Sequence, residues 1–253
     1  MSTRRHGGLA YEVFGSGEPV LLLHPAFVHR GAFAGEVESL GDRLRMISVD
    51  LPGHGETGRG KDVPTMDRVA DALVGILDAE GVQQAHVLGV SMGSLLGQDL
   101  ARRHPDRVRT LTALGGYEVS DAVAGKAQGG ALLSLLPRLI FARRAFQRGL
   151  AKDMAVTDAG RARMAQLAEG FRLADFLAMR GMDKVLDLER TDVLRCPLLI
   201  VVGEHDLPVV REASARWHAA VDSRLVVLEG AGHCANLDDA EGFHRVWTDH
   251  LGV

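Results

Sequence analysis

Five residues, Gly89-Val90-Ser91-Met92-Gly93, join an apolar run at 85–90 directly to a helical stretch at about 92–104, with no loop between them. A chain passes that abruptly from a buried strand to a helix only through a sharp turn. Such a turn lifts the side chain at its apex out of the sheet edge. Glycine is needed on both sides, because a side chain there would collide with the neighbouring strand or helix. The amide of Met92 then lies at a helix N-terminus, where backbone donors and the helix dipole favour negative charge. The bland alternative is a tight strand-to-helix turn with an idle serine.

The same alternation runs through most of the chain. Residues 9–14 read as an edge strand closed by Gly15-Ser16-Gly17, and 20–23 as a strand buried on both faces. Residues 46–49 form the next strand, ending at Asp50. Apolar Val69, Leu73, Ile76 and Leu77 share one face of a helix predicted over 66–80, which Gly81 would cap. The helix after Ser91 stops before Pro105. Strands follow at 108–114, 198–202 and 224–228, with helices at about 208–220 and 239–251. The pattern predicts an α/β fold with a mostly parallel central sheet flanked by helices.

Residues 117–192 break the rhythm. They read as helices with no strand between them: one around Leu132, Leu133, Leu136, Leu139 and Ile140, interrupted or kinked by Pro137, and others at 157–171 and 173–186. About 75 residues exceed what one crossover needs. The expected organisation is a core of residues 1–116 and 193–253 carrying a helical insertion, 117–192, over one end of the sheet. Ordinary crossover helices are the alternative.

With 253 residues, one domain with a sizeable core suffices. A net charge of −4 gives no reason to expect nucleic acid or an anionic membrane as a partner. Cys196 and Cys234 belong to no disulfide or zinc pattern, and neither metal-ligand spacing nor a phosphate loop stands out, so no cofactor or metal is expected. Residues 1–8 hold Arg4 and Arg5 but no apolar signal segment, and Val20-Leu21-Leu22-Leu23 is too short for a membrane span. The expected setting is the cytoplasm, with a small-molecule substrate.

A serine hydroxyl needs a base to become a nucleophile. Of eleven histidines, His233 stands out, in the glycine-rich loop Gly230-Ala231-Gly232-His233 between a strand and the last helix. Such a loop reaches over the C-terminal edge of the sheet, where open α/β sheets bind ligands. His104, His218, His244 and His250 fall on or beside helices as solvated surface, and His86 lies inside a strand as core. The base needs a carboxylate on its far nitrogen. Asp206, beyond Gly203-Glu204-His205, ends a strand at the same edge; Glu204 and Glu118 are its rivals. The oxyanion formed on acyl attack needs two donors. Met92 can supply one amide, and the loop His24-Pro25-Ala26-Phe27 the other, from Ala26 or else Phe27, since Pro25 has no N–H.

These pieces resemble the α/β-hydrolase superfamily along nearly the whole chain: the strand ending in His24, the turn Asp50-Leu51-Pro52-Gly53-His54-Gly55, the elbow at Ser91, Gly203-Glu204-His205-Asp206, and Gly232-His233. Their order, Ser then Asp then His, is the superfamily's order. The resemblance implies that Ser91, Asp206 and His233 form a catalytic triad and that the 117–192 insertion is a cap over the active site. One departure is His24-Pro25, where the family usually has His-Gly. His54 has either a direct role or only a place in a glycine-rich turn beside the site.

Inside the insertion, Phe141, Phe146, Leu150, Phe171, Phe176 and Met179 are candidates to face a substrate, with Phe27 on the loop below; most could equally pack between helices. Arg138, Arg143, Arg144, Arg148 and Lys152 form a basic cluster that reads as a solvated helix face or an anion site. The first expectation is cleavage of an ester or lactone through an acyl-Ser91 intermediate. Perhydrolase, acyltransferase or carbon–carbon bond hydrolase chemistry on the same triad is the alternative, and a ligand-binding protein on this scaffold is the alternative of another class. Serine rather than aspartate at position 91 argues against haloalkane or epoxide hydrolysis.

Overall fold

The structure, a computed structural model, describes residues 2–186 and 194–253, without the side chains of 128 and 131–133. Eight strands form one sheet: β1 (Arg4–His6), β2 (Leu9–Phe14), β3 (Glu18–Leu23), β4 (Leu44–Asp50), β5 (Ala85–Val90), β6 (Val108–Leu114), β7 (Leu198–Gly203) and β8 (Arg224–Leu228). Their order is β1-β2-β4-β3-β5-β6-β7-β8. The pairings β1–β2 and β2–β4 are antiparallel, and the rest are parallel. Central strands are buried on both faces, which is why β3 and β5 carry apolar residues at consecutive positions rather than alternating.

The helices are α1 (Ala34–Leu40), α2 (Val69–Ala79), α3 (Met92–Arg103), α4 (Ala122–Phe141), α5 (Arg143–Met154), α6 (Asp158–Leu167), α7 (Leu173–Ala178), α8 (Met182–Val185), α9 (Pro208–Ala220), α10 (Ala235–Asp238) and α11 (Ala240–Leu251). Val69, Leu73, Ile76 and Leu77 of α2 are fully buried. Each contributes about 1.5–3 kcal/mol of apolar transfer. One core cluster joins α2 and α3 to one face of the sheet, and a second joins α11 to the other.

Three expectations are corrected. Residues 9–14 are not an edge strand, because Arg4–His6 pairs outside them. That three-residue strand is exposed throughout and carries no apolar signal. The helix expected over 173–186 is two short helices parted at Gly181, which has φ +88°. Pro137 does not end its helix; α4 continues through it to Phe141. Between β6 and β7 the described residues hold α4 to α8 and no strand. The packing of Leu132 and Leu133, and the end of the expected insertion at Asp192, lie outside the described residues. Among the described residues no helix is long and apolar enough to cross a membrane.

Candidate active site

Ser91 sits between β5 and α3 with φ 51° and ψ −115°, a conformation that non-glycine residues rarely hold. Surrounding contacts impose it. Its amide donates to the Leu114 carbonyl at 2.8 Å, and its carbonyl accepts from Ser94 Oγ at 2.7 Å. A Cβ on Gly89 would lie 2.3 Å from the Gly93 carbonyl oxygen, and one on Gly93 would lie 2.0 Å from that of Leu23 in β3. Helix, elbow and neighbouring strand therefore approach each other as only glycine permits.

The Ser91 hydroxyl donates to Nε2 of His233 at 2.8 Å, and Nδ1 of that ring donates to Asp206 Oδ1 at 2.7 Å. A carboxylate only accepts, so Asp206 fixes the tautomer that leaves Nε2 free to take the serine proton. Asp206 is held in turn by the Leu207 amide at 2.6 Å. Burial of His233 opposes its charged form, but the charge and hydrogen bond of Asp206 outweigh it, and the imidazole titrates above its ordinary 6.5. The rival carboxylates are occupied elsewhere: Glu204 accepts from the Gly230 amide, and Glu118 pairs with Arg102 and Ser120. His86 bonds Thr110 inside the sheet and His104 faces Asp71. His244, expected at the surface, instead packs beside buried Glu36 with its side chain 12% exposed.

Two sets of partners here could not be paired from the sequence. Asp238 of α10 accepts from the amides of Gly232, Val156 and Thr157 and from the Thr157 hydroxyl, so one carboxylate ties the His233 loop to the turn between α5 and α6. The Cys234 amide donates across the same junction to Met154. The second set is a pair of buried histidines. His24 accepts the Leu51 amide on Nε2 at 2.9 Å, and His54 accepts the Phe27 amide on Nε2 at 3.1 Å. Their Nδ1–H groups donate to the Pro25 and Pro52 carbonyls. The rings meet edge to face at 4.9 Å. Burial holds both down to about 3, so they stay neutral and each loop grips the other's backbone. His54 thus shapes the loop through Phe27. Because the Phe27 amide is engaged, Ala26 is left as that loop's candidate oxyanion donor, beside Met92 at the start of α3.

Above Ser91 lies a cavity of about 210 Å³. Its wall includes Pro25, Ala26, Phe27, Met92, Leu95, Tyr117, Leu135, Met154, Met179, Met182 and Leu207, with Arg138 and Asp153 exposed at the margin. Phe27 holds φ +71°. Its ring packs edge to face on Phe146 and Phe171 and stacks at 6.4 Å with Phe176. Phe27 and Met179 line the cavity. Phe176 does not: it backs Phe27 from α7. Phe141 is set aside as a substrate contact, because the end of α4 leaves it 85% exposed. Phe146, Leu150 and Phe171 are packing between helices and loop. Arg143, Arg144 and Arg148 lie exposed on α5. Tyr117, Met154 and Leu207 were missed because they come from loops or helix ends, where periodicity says nothing.

Residues 20–246 match the Alpha/beta hydrolase family, and the chain belongs to it. It is a hydrolase. It is 30% identical to a pimeloyl-[acyl-carrier protein] methyl ester esterase of Chromobacterium violaceum over 96% of this chain and 98% of that one. To a 2-hydroxymuconate semialdehyde hydrolase of Pseudomonas putida it is 31% identical, over 94% of this chain and 88% of that one. A solved thermophilic esterase from Thermogutta terrifontis superimposes with a TM-score of 0.78 at 25% identity, covering 96% of this chain and 92% of that one.

Proposed function

We propose that this hydrolase cleaves a small, mainly apolar carboxylic ester or lactone through an acyl-Ser91 intermediate. The observation that carries the reading is the unbroken chain Ser91 Oγ to His233 Nε2, then His233 Nδ1 to Asp206 Oδ1, beside a mainly apolar cavity. In this reading His233 takes the serine proton as Oγ attacks the carbonyl. The amides of Ala26 and Met92 receive the oxyanion. The imidazolium then gives its proton to the leaving alcohol; His233 next takes a proton from water as it attacks the acyl carbon, and returns that proton to Ser91 Oγ as the acid leaves. In this reading the helices α4 to α8 act as a cap that excludes bulk water. The esterase relatives support the ester class. The relative that hydrolyses a ring-cleavage semialdehyde supports a second reading, carbon–carbon cleavage beside a ketone on the same triad.

The test is intact-mass analysis after a fluorophosphonate, which captures activated serines, on wild type and Ser91→Ala, paired with turnover of short chromogenic esters. The expected result is one adduct on the Ser91 peptide, with labelling and turnover both lost in the variant. A folded wild type that takes no label and turns over no ester would end the acyl-enzyme reading. Turnover of a vinylogous diketone but of no ester would move the assignment to carbon–carbon cleavage.

A further inference from the structure

Tyr117 follows β6 by three residues and is 2% exposed. It belongs to the cavity wall, in an apolar cluster with Met92, Leu95 and Val185 against which Met179 and Met182 pack. Its backbone is clamped. Gln98, fully buried in α3, donates from Nε2 to the Tyr117 carbonyl at 2.8 Å and accepts the Val119 amide on Oε1 at 2.9 Å. The Ser214 hydroxyl holds the preceding carbonyl, of Gly116, at 2.6 Å. Gln98 ties this segment to the helix that begins at Met92, so Tyr117 keeps its place relative to Ser91.

Among the described residues no group accepts the hydrogen of the Tyr117 phenol or donates to it, and it is not among the polar atoms sealed from solvent. Phenylalanine would make the same apolar contacts without this unpaired donor, whose burial is unfavourable. Tyr117 lines the cavity, so this unpartnered donor belongs to its wall. Burial, reinforced by the nearby charge of Asp121, pushes its ionisation up to about 12, so it is an O–H donor throughout the physiological range.

We infer that the Tyr117 hydroxyl is a substrate-recognition donor, and that the preferred substrates are neutral esters or lactones carrying a second oxygen acceptor, such as a ketone, away from the scissile carbonyl. The acceptor is neutral because the charges at the cavity margin, Arg138 and Asp153, are of opposite sign and both exposed. A plain hydrocarbon substituent leaves the donor unpaired in an apolar surround, which is the kind of mismatch that gives strong discrimination. The inference rests on the proposed hydrolysis for its kinetic readout, though binding can be read without it.

The test compares wild type with Tyr117→Phe on matched ester pairs in which one methylene is replaced by a ketone at successive positions of the acyl or the alcohol half. For at least one position, wild type should prefer the ketone ester in kcat/KM by about 10-fold or more. In Tyr117→Phe the ratio of kcat/KM for the ketone ester over its hydrocarbon partner should fall to within about 2-fold of one, with no fall in melting temperature. A wild type with no preference at any position, or a variant that weakens both members of each pair alike, overturns the inference. So does a lowered melting temperature with uniform loss, which would mark the hydroxyl as structural. Absence of all turnover together with absence of Ser91 labelling would instead remove the hydrolysis reading. The same pairs, scored by thermal shift on Ser91→Ala and Ser91→Ala/Tyr117→Phe, then decide for or against Tyr117 by whether the ketone partner binds better only when the hydroxyl is present.

Discussion

On the sheet side of the cavity the backbone is held by polar tethers, whereas on the helical side apolar side chains do most of the packing. Among the described residues the two non-glycine residues with positive φ, Phe27 and Ser91, both belong to the sheet side. There, His24 and His54 cross-link two loops, and glycines such as Gly93 sit where any Cβ would strike backbone. Across the cavity, Leu135, Met154, Met179 and Met182 form the wall. Gly149 in α5 has open space where its Cβ would be. The difference is one of tolerance. A wall fixed by directional bonds and forced contacts accepts few substitutions, while a wall of flexible apolar side chains can change its lining and keep its fold.

The largest effect should come from the most constrained point. Asp206→Asn keeps the shape but removes the charge and admits the wrong tautomer of His233, so kcat/KM should fall by roughly 10³–10⁴-fold in steady-state ester assays. The same variant should move the pH profile. In the proposed mechanism the reaction needs the unprotonated Nε2, so the rate rises with pH through the His233 ionisation, which Asp206 holds above 6.5. Without that carboxylate charge, burial is the remaining influence, and the residual activity should set in at lower pH than in wild type. Near-normal rates in Asp206→Asn would take the orienting role from Asp206 and show the sheet side to be less constrained than its hydrogen bonds imply.

The same contrast explains what could be read from the amino-acid order. The elbow at Ser91 and strands such as β3 and β5 are local features, written in runs of a few residues, and they stand where the pattern puts them. Gly203-Glu204-His205-Asp206 and Gly232-His233 were legible for the same reason: each is a loop bound to the end of a strand. The tether from His54 to the Phe27 amide spans 27 positions, and that from Asp238 to Val156 spans 82. Nothing in the pattern of either segment announces its partner. The helical wall was obscure for another reason. Period 3.6 identifies an apolar face but does not say whether a given residue on it meets the cavity or a neighbouring helix, so Phe146 and Met179 looked equivalent. Phe141 misled because an aromatic residue at a helix end looks like a pocket residue until the helix direction is known.

Asp238 is the place where the two walls are joined, and removing it should break the contrast. Asp238→Ala leaves the amides of Gly232, Val156 and Thr157 without their acceptor, at a part-buried junction where water can replace some of it. A loss of about 2–3 kcal/mol in urea unfolding is expected. Because the Gly232 amide precedes His233, kcat should drop by about 10-fold with KM changed less, as a loosened base affects the reacting geometry more than the apolar contacts. Asp238→Asn, which keeps one acceptor oxygen, should recover part of both losses. Unchanged kcat in Asp238→Ala would mean that the His233 loop holds its place without help from the helical side.

The smallest effect is also of opposite sign, and it bears on the helical wall alone. Gly149 lies inside α5 with no neighbour within 4 Å of the position a Cβ would take, so neither a clash nor a special backbone angle requires glycine there. Glycine in a helix interior is unfavourable because the unfolded chain has more freedom to lose. Gly149→Ala should therefore stabilise the protein by about 0.4–1 kcal/mol, seen as a higher urea midpoint at unchanged m-value, with the ester rate within about 2-fold of wild type. If stability rises but the rate falls several-fold, then freedom in α5 serves turnover, and the looseness of this wall is a working property and not merely a tolerance. If stability falls, α5 meets a neighbour at this position in solution, and the helical side is as tightly specified as the sheet edge opposite it.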